Sequence, residues 1–478
     1  MKILSVCTSV PEEDAAWWRI SNIARIADIF RVKVGDIRGA RHYCARHNFR
    51  YRNCRNFWMD KGYLEMSKED LKVDQYPHKL KHRQRVLIHI AWARWEQIQT
   101  EPCLCKELSR YYKVFYVQIS DASMMKPINF LKSLRIKVKE KSEKLSIVEI
   151  PNLILPTKWY RWRVTQWWNE HYIYWLLKVF FKQYWKEGNV ILGTAYPWVS
   201  RTAFCRLQAS LKYYHCVDNM PSFAGPNAIK IRRAEEEIEG HADCIFVVAE
   251  ALKELSPFRK KAIVVNNATD ISCFNNTSSF FPADLPKGQP IVGYCGRLDL
   301  WFDYETIRIA AESRPNYNFV LIGSVDKNCK KILETLTKNS NVFWLDKKPY
   351  EMISVYISSF NVATIPFKLD EIGYYADPLK LYDYFAAGKP VLASAMPEVK
   401  KWQPYIDIYE SPEEFIFALD KIIGGDHPNT SELKAIAKNN TWKDRAELIH
   451  TILEEHMLRK FTGDKLNTRD EGKMRFGK

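Results

Sequence analysis

At 478 residues, with 46% apolar and 27% charged side chains, the chain can form two or three domains with ordinary cores, and a disordered or fibrous polymer is excluded. A formal charge of +16 favours anionic partners (nucleic acid, acidic lipid headgroups or phosphorylated substrates) without choosing among them. Eleven cysteines without a CxxC pair or zinc-like spacing read as a reducing, cytoplasmic chain, and no apolar run approaches the ~18 residues of a membrane span.

In chain order, residues 1–83 fit no simple scheme. Lys2–Ser9 reads as a strand, too soon followed by charge to be a signal peptide, and Ala15–Phe30 reads as a helix. Arg31–Arg55 then carries eight Lys or Arg against Asp36 alone. The segment is a basic N-terminal extension: an accessory half-domain, an insertion or a partner-binding arm.

From Arg85 onward short apolar strands alternate with amphipathic helices. Val86–Trp92, Val114–Ser120, Ser146–Pro151, Val190–Ala195, Tyr213–Val217, Ile245–Ala249 and Ala262–Asn266 read as strands, and this alternation implies parallel sheets of βαβ type. Between them, Trp159–Lys186 holds six tryptophans among tyrosines, phenylalanines and cations. It reads either as a large helix packed on the sheet or as one lying in a bilayer interface.

Asp270–Gln289 is rich in Ser, Asn, Pro and Gly and reads as a linker. The alternation resumes with Pro290–Tyr294, Asn318–Gly323, Val342–Leu345, Val362–Pro366 and Pro390–Ala393 as strands. Gly388 reads as a C′ glycine, Ser411 as an N-cap with Pro412 at N1, and Trp442–Phe461 as a long terminal helix. The organisation is α/β: Rossmann-like domains over 84–270 and 290–461, a linker at 271–289 and a polar tail at 462–478. Two such domains leave a cleft between them.

The chemistry concentrates at strand-to-helix junctions of the second domain. Gly293-Tyr294-Cys295-Gly296-Arg297 carries an apolar strand into a glycine turn, where Arg297 can fork a phosphate and Asp303 can cap the next helix. An ordinary surface arginine is the alternative. Further on, Pro378 and Leu379 open a helix that places Lys380 and Asp383 on one face. The lysine can neutralise a phosphate while the aspartate accepts ribose hydroxyls; the alternative is an intrahelical ion pair. Two cations and a carboxylate at such junctions suit a diphosphate bearing a ribose. In the first domain, His215 ends a strand just before Asp218-Asn219. Either side chain could orient hydroxyls or stabilise charge in a reaction, or be a satisfied structural group.

Gly296-Arg297, Val320-Leu321-Ile322-Gly323, Pro349-Tyr350-Glu351, Pro366-Phe367 and Pro378 through Val391 follow one another in an order that resembles the donor-binding domain of retaining GT-B glycosyltransferases of the group 1 (family 4) type. A weaker likeness, at Trp92-Ala93-Arg94-Trp95, Asp218-Asn219 and Val265 through Asp270, extends it over about residues 84–461. The resemblance implies a GT-B fold and transfer of a sugar from a nucleotide-sugar donor to a saccharide or lipid-linked acceptor, with retention. The setting it implies is cell-surface polysaccharide or glycolipid synthesis. It further implies that Gly296, Arg297, Pro378, Leu379, Lys380 and Asp383 hold the donor and that His215, with Asp218 as runner-up, faces the sugar. No metal cofactor and no nucleic-acid partner are expected, and the location is cytoplasmic with possible peripheral contact at the inner membrane face.

The chain departs from the family where Trp301, Phe302 and Asp303 replace a common lysine and where paired glutamates become Tyr375 and Asp383. A non-catalytic basic binding protein on a decayed scaffold and a nucleotide-sugar epimerase are the alternatives. The absence of Asp-x-Asp, of a P-loop and of two well-placed carboxylates argues against a metal-dependent GT-A transferase, a P-loop enzyme and a glycosidase.

Overall fold

A computed structural model describes residues 84–97, 99–119, 136–150, 163–255, 261–274 and 280–462. The basic extension at 1–83 and the tail beyond 462 lie outside the described residues.

The first sheet contains β1 (Val86–Ala91), β2 (Lys113–Ile119), β3 (Lys137–Ser142), β4 (Leu145–Ile150), β5 (Val190–Thr194), β6 (Leu211–Cys216), β7 (Cys244–Val247) and β8 (Ala262–Val264). Their order is β3-β4-β2-β1-β5-β6-β7-β8. Every pairing is parallel except β3 with β4, an antiparallel edge that the sequence does not announce. β3 is Lys-Val-Lys-Glu-Lys-Ser and exposed throughout, so neither apolar alternation nor burial marks it as a strand.

Helices α1 (Thr100–Leu108), α2 (Arg163–Phe180) and α3 (Pro197–Arg206) belong to this domain. One sheet face is covered by α2 and α3, through Ile173, Leu177, Val199 and Phe204. The other is covered by α1, through Leu104 and Leu108, and by part of the chain's far end.

The second sheet holds β9 (Ile291–Cys295), β10 (Asn318–Ile322), β11 (Val342–Leu345), β12 (Val362–Ile365), β13 (Val391–Ser394) and β14 (Asp407–Tyr409). It is parallel throughout, in the order β11-β10-β9-β12-β13-β14. Helices α4 (Tyr304–Ser313) and α5 (Leu379–Ala387) follow β9 and precede β13. The local signals act as their residue types dictate: the Asp303 carboxylate accepts the Thr306 amide at the start of α4, and Gly388 ends α5 at φ +67°. Ser411 likewise caps the helix Pro412–Ile423.

The last helix, α6 (Trp442–Thr462), returns to the first domain. Ala446, Ile449 and Leu453 join Leu87, Leu108 and Tyr112 in one buried cluster, so the far end of the chain completes the first domain's core.

In each sheet the chain builds outward on one side and then jumps back to the centre, between β1 and β5 in the first and between β9 and β12 in the second. Adjacent loops diverge at these reversals, which opens a crevice outside the carboxyl ends of the strands. The two carboxyl edges face each other. Phe223, beyond β6, meets Trp301, beyond β9, at 6.0 Å between rings, and the Ser222 hydroxyl donates to Glu371, beyond β12, at 3.2 Å.

Candidate active site

On the second domain, the reversal between β9 and β12 is lined by aromatic rings. Tyr294 sits edge-on to Phe302 at 4.8 Å and to Phe367 at 6.5 Å. Lys380, in the first turn of α5, lays its ammonium over these rings, 4.4 Å from the Phe367 centroid and 5.2 Å from that of Tyr294. Among the described residues it forms no ion pair or hydrogen bond, and burial pulls it down to about 8. A half-buried cation that lies over aromatic rings and makes no ion pair has capacity left for an anion.

The surroundings preserve that capacity. A Cβ on Gly296 would stand 2.9 Å from Lys380 Cε, and one on Gly323 would stand 2.0 Å from the Gly296 carbonyl oxygen. The β10 turn can lie against the backbone of the β9 turn only because residue 323 is glycine, and the glycine at 296 leaves room for the Lys380 and Tyr294 side chains. No side chain caps the first turn of α5, so its amides add positive potential at the same edge. Tyr384 locks the helix there: its hydroxyl accepts the Cys295 amide at 3.0 Å and faces the Thr364 carbonyl at 3.4 Å.

The other donor-side residues have partners. Arg297 is half-exposed, its Nε on Asp299 at 2.6 Å and one terminal nitrogen on Asp326 at 2.9 Å. A phosphate would have to draw the guanidinium away from these carboxylates. Asp299 is two residues away in the chain, whereas Asp326 arrives on the turn after β10, which leaves no mark in the sequence. Asp383 pairs with the end of the first domain: its Oδ1 accepts the Thr269 hydroxyl at 2.7 Å, and burial, opposed by that bond and by Lys380, lifts it to about 7. Lys380 and Asp383 therefore do not form the intrahelical ion pair that their spacing permits.

Pro378 is the N-cap of α5, and Leu379 packs against the first domain's cluster. Before them comes Asp377, which nothing in the sequence marks as a clamp. Its carboxylate accepts the Asn267 amide at 2.6 Å and the Tyr382 hydroxyl at 3.1 Å, and so fastens the chain leaving the first domain onto α5.

On the first domain, His215 is 1% exposed and neither ring nitrogen has a partner. Burial, then the nearby His89, pushes it down to about 3, so the imidazole is neutral. Asp218 follows at the same carboxyl edge, raised to about 7 by burial and by Glu101.

Sequence reasoning missed the network beside these two. Glu101, 1% exposed on α1, accepts His89 Nε2–H at 3.1 Å and the amides of Trp92 and Ala93 at 3.0 and 2.8 Å. With Nε2 as the donor, His89 Nδ1 accepts the Tyr213 hydroxyl at 2.9 Å. Glu101 therefore fixes the loop that leaves β1 at the cleft. An isolated glutamate in Thr-Glu-Pro offers no pattern from which to foresee this.

The family description "Glycosyl transferases group 1" matches residues 275–402, which contain the whole Gly296–Lys380 edge. This chain resembles the group 1 glycosyltransferases. A Bacillus subtilis (strain 168) protein, named for a proposed role as the teichuronic acid biosynthesis glycosyltransferase TuaH, is 27% identical over 241 residues, covering 47% of this chain. The match spans 61% of that relative's length.

Among solved structures, sucrose-phosphate synthase from Thermosynechococcus elongatus superposes with a TM-score of 0.59 at 16% identity, covering 80% of this chain and 100% of its own. The Escherichia coli trehalose-6-phosphate protein bound with UDP-2-fluoro glucose gives 0.57 at 10% identity, covering 77% and 99%. Anabaena HepE in complex with UDP and glucose gives 0.56 at 13% identity, covering 78% and 100%. At these identities the likeness establishes the fold, which is GT-B. The group 1 match begins within the linker and ends at Trp402, so the first domain's His215, Asp218 and Glu101 lie outside it.

Proposed function

We propose that the protein transfers a sugar from a nucleotide-sugar donor to a saccharide or lipid-linked acceptor, with retention, in cell-surface polysaccharide or glycolipid synthesis at the cytoplasmic face of a membrane. The half-buried Lys380 ammonium carries this reading. It lies over Phe367 without a carboxylate partner, beside two glycines and the start of α5.

In this reading the donor diphosphate lies against Lys380 and the first amides of α5, while Arg297 exchanges Asp299 and Asp326 for a phosphate oxygen. Asp383 faces the ribose. Neutral His215 and the Asp218 carboxyl supply hydrogen bonds to sugar hydroxyls from across the cleft. As the bond from the anomeric carbon to the diphosphate breaks, Lys380 stabilises the departing negative charge. The acceptor oxygen forms its bond on the same face and passes its proton to the leaving phosphate. These cations take the part a metal ion plays elsewhere, so the reaction should survive chelation by EDTA.

The E. coli protein is bound with UDP-2-fluoro glucose and HepE with UDP and glucose, which makes a uridine diphosphate the first ligand to test. Melting temperature is measured against UDP, GDP, ADP, CMP and dTDP, with Lys380→Ala and Arg297→Ala alongside. The expected result is a rise with one nucleotide that disappears in Lys380→Ala. A rise that Lys380→Ala leaves unchanged would refute the site, and no rise with any of the five would favour a non-catalytic binding scaffold.

A further inference from the structure

Helix α2 has two apolar faces on opposite sides. Ile173, Leu176 and Leu177 point inward and are 0%, 8% and 2% exposed. At about 100° per residue, Val164, Trp167, Trp175 and Val179 fall on the opposite arc. Their exposures are 76%, 57%, 58% and 53%. Lys178 shares this arc, and Lys182 and Lys186 follow in the short helix Lys182–Glu187, which ends in the exposed Glu187; all three lysines are exposed. Glu170, the only carboxylate in α2, is turned inward and held by Arg201 and the Thr202 hydroxyl. The outer arc is therefore tryptophan, valine and lysine, with His171 stacked on Trp167 at 4.6 Å, and it carries no negative charge.

Charge decides what such a face can meet. A second copy would set lysine against lysine, and the N-terminal extension of the same chain is itself basic. An anionic surface is complementary to it. Indole rings, apolar in body with a polar N–H, settle at the boundary between headgroups and acyl chains, where lysines reach lipid phosphates.

The helix is also suitably placed. It connects the carboxyl edge of β4 to the amino edge of β5, and its 18 residues span about 27 Å against about 17 Å for a five-residue strand. Its first turns, with Val164 and Trp167, therefore lie toward the carboxyl edge, on the side of the cleft.

We propose that the outer face of α2 docks on the interface of a bilayer containing anionic lipid, with Trp167 and Trp175 among the headgroups and Lys178, Lys182 and Lys186 on lipid phosphates. The docking stands on the surface alone. Its use, to bring a lipid-carried acceptor to the cleft, rests on the transferase reading.

The test is flotation of the full chain with phosphatidylcholine vesicles, with and without phosphatidylglycerol, at low and high salt. Light scattering and melting temperature are measured in parallel. The chain should float with the phosphatidylglycerol vesicles and be released by salt. Trp167→Ala/Trp175→Ala should bind about tenfold more weakly at an unchanged melting temperature, because both side chains are solvent-facing. Lys178→Ala/Lys182→Ala/Lys186→Ala should lose most of the salt dependence.

Wild-type protein that stays unbound overturns the proposal. So does a tryptophan variant that floats as well as wild type, which would move the contact to the basic N-terminal extension. A dimer that the tryptophan variant disrupts, without flotation, would assign the face to a second copy. Flotation without any nucleotide-induced rise in melting temperature would leave the docking standing and sink the transferase reading.

Discussion

Lys380 depends on a balance between burial and rings. Removing it from water disfavours the ammonium, while the faces of Phe367 and Tyr294 return part of that loss. Lowered to about 8, Lys380 in the free protein is mostly charged at pH 7 and loses the charge as pH rises through 8. A bound diphosphate favours the charged form and raises that value, so binding should take up a proton at and above about pH 8. Nucleotide affinity should thus hold between pH 6.5 and 7.5 and fall up to about tenfold per unit above pH 8, with Lys380→Ala weak and flat by comparison. Calorimetry in two buffers of different ionisation enthalpy reads the proton uptake. A wild-type profile flat to pH 9.5 would show that Lys380 is not the anion's partner.

At this scale the sequence identified residue types better than their partners. Lys380 was legible because a cation three residues after Asp377 and before Asp383 lies at a helix start. The Asp326 carboxylate on Arg297 and the lack of any partner on His215 depend on loops that approach only in the folded chain.

Among the elements, the first sheet shows how one missing side chain sets a whole network. His89, Gly193 and Tyr213 stand in register across β1, β5 and β6. A Cβ on Gly193 would lie 2.1 Å from the Tyr213 ring, so the tyrosine can cross β5 to His89 only over a glycine. Gly193→Ala must displace that ring, breaking its bond to His89 and loosening Glu101 from the Trp92 loop. A loss of about 1–3 kcal/mol is expected in urea unfolding, the usual cost of overpacking a dense core. An alanine variant as stable as wild type would show that the ring has room to move.

Most strands rich in β-branched and aromatic residues were readable because they are buried on both faces, as β1 and β10 are. β3 was not, since it is held by backbone pairing to β4 while its lysine-rich side chains stay in water, where they also discourage further strand addition.

In the whole molecule, the two domains are joined by more than their linker. Asp377 clamps Asn267, Asp383 takes the Thr269 hydroxyl, and Glu398 accepts the Glu250 and Asn266 nitrogens. α6 then carries the chain back to the first core, where Tyr112 bonds His450 at 2.8 Å and Lys460 reaches Asp243. The first domain's core is thus incomplete without the last helix of the chain. Leu453→Ala, at a fully buried position, should cost about 2–5 kcal/mol and lower the first domain's resistance to proteolysis, as measured by urea unfolding and limited digestion. A variant that destabilises the second domain alone would mean that α6 is dispensable to the first.

The amino-acid sequence by itself determined the α/β alternation, the helix caps at Asp303 and Ser411, and the glycine and lysine junctions of the second domain. Each of these is a local property, set by side-chain period, backbone freedom or a neighbour a few residues away. Only the tertiary structure decided that Lys380 lies on Phe367 without a carboxylate, that Arg297 is engaged, that Glu101 braces the cleft loop, and that α2 turns tryptophans to solvent. Those outcomes depend on contacts between residues distant in the chain, where burial and partner choice follow from topology and from no periodicity that a single sequence displays.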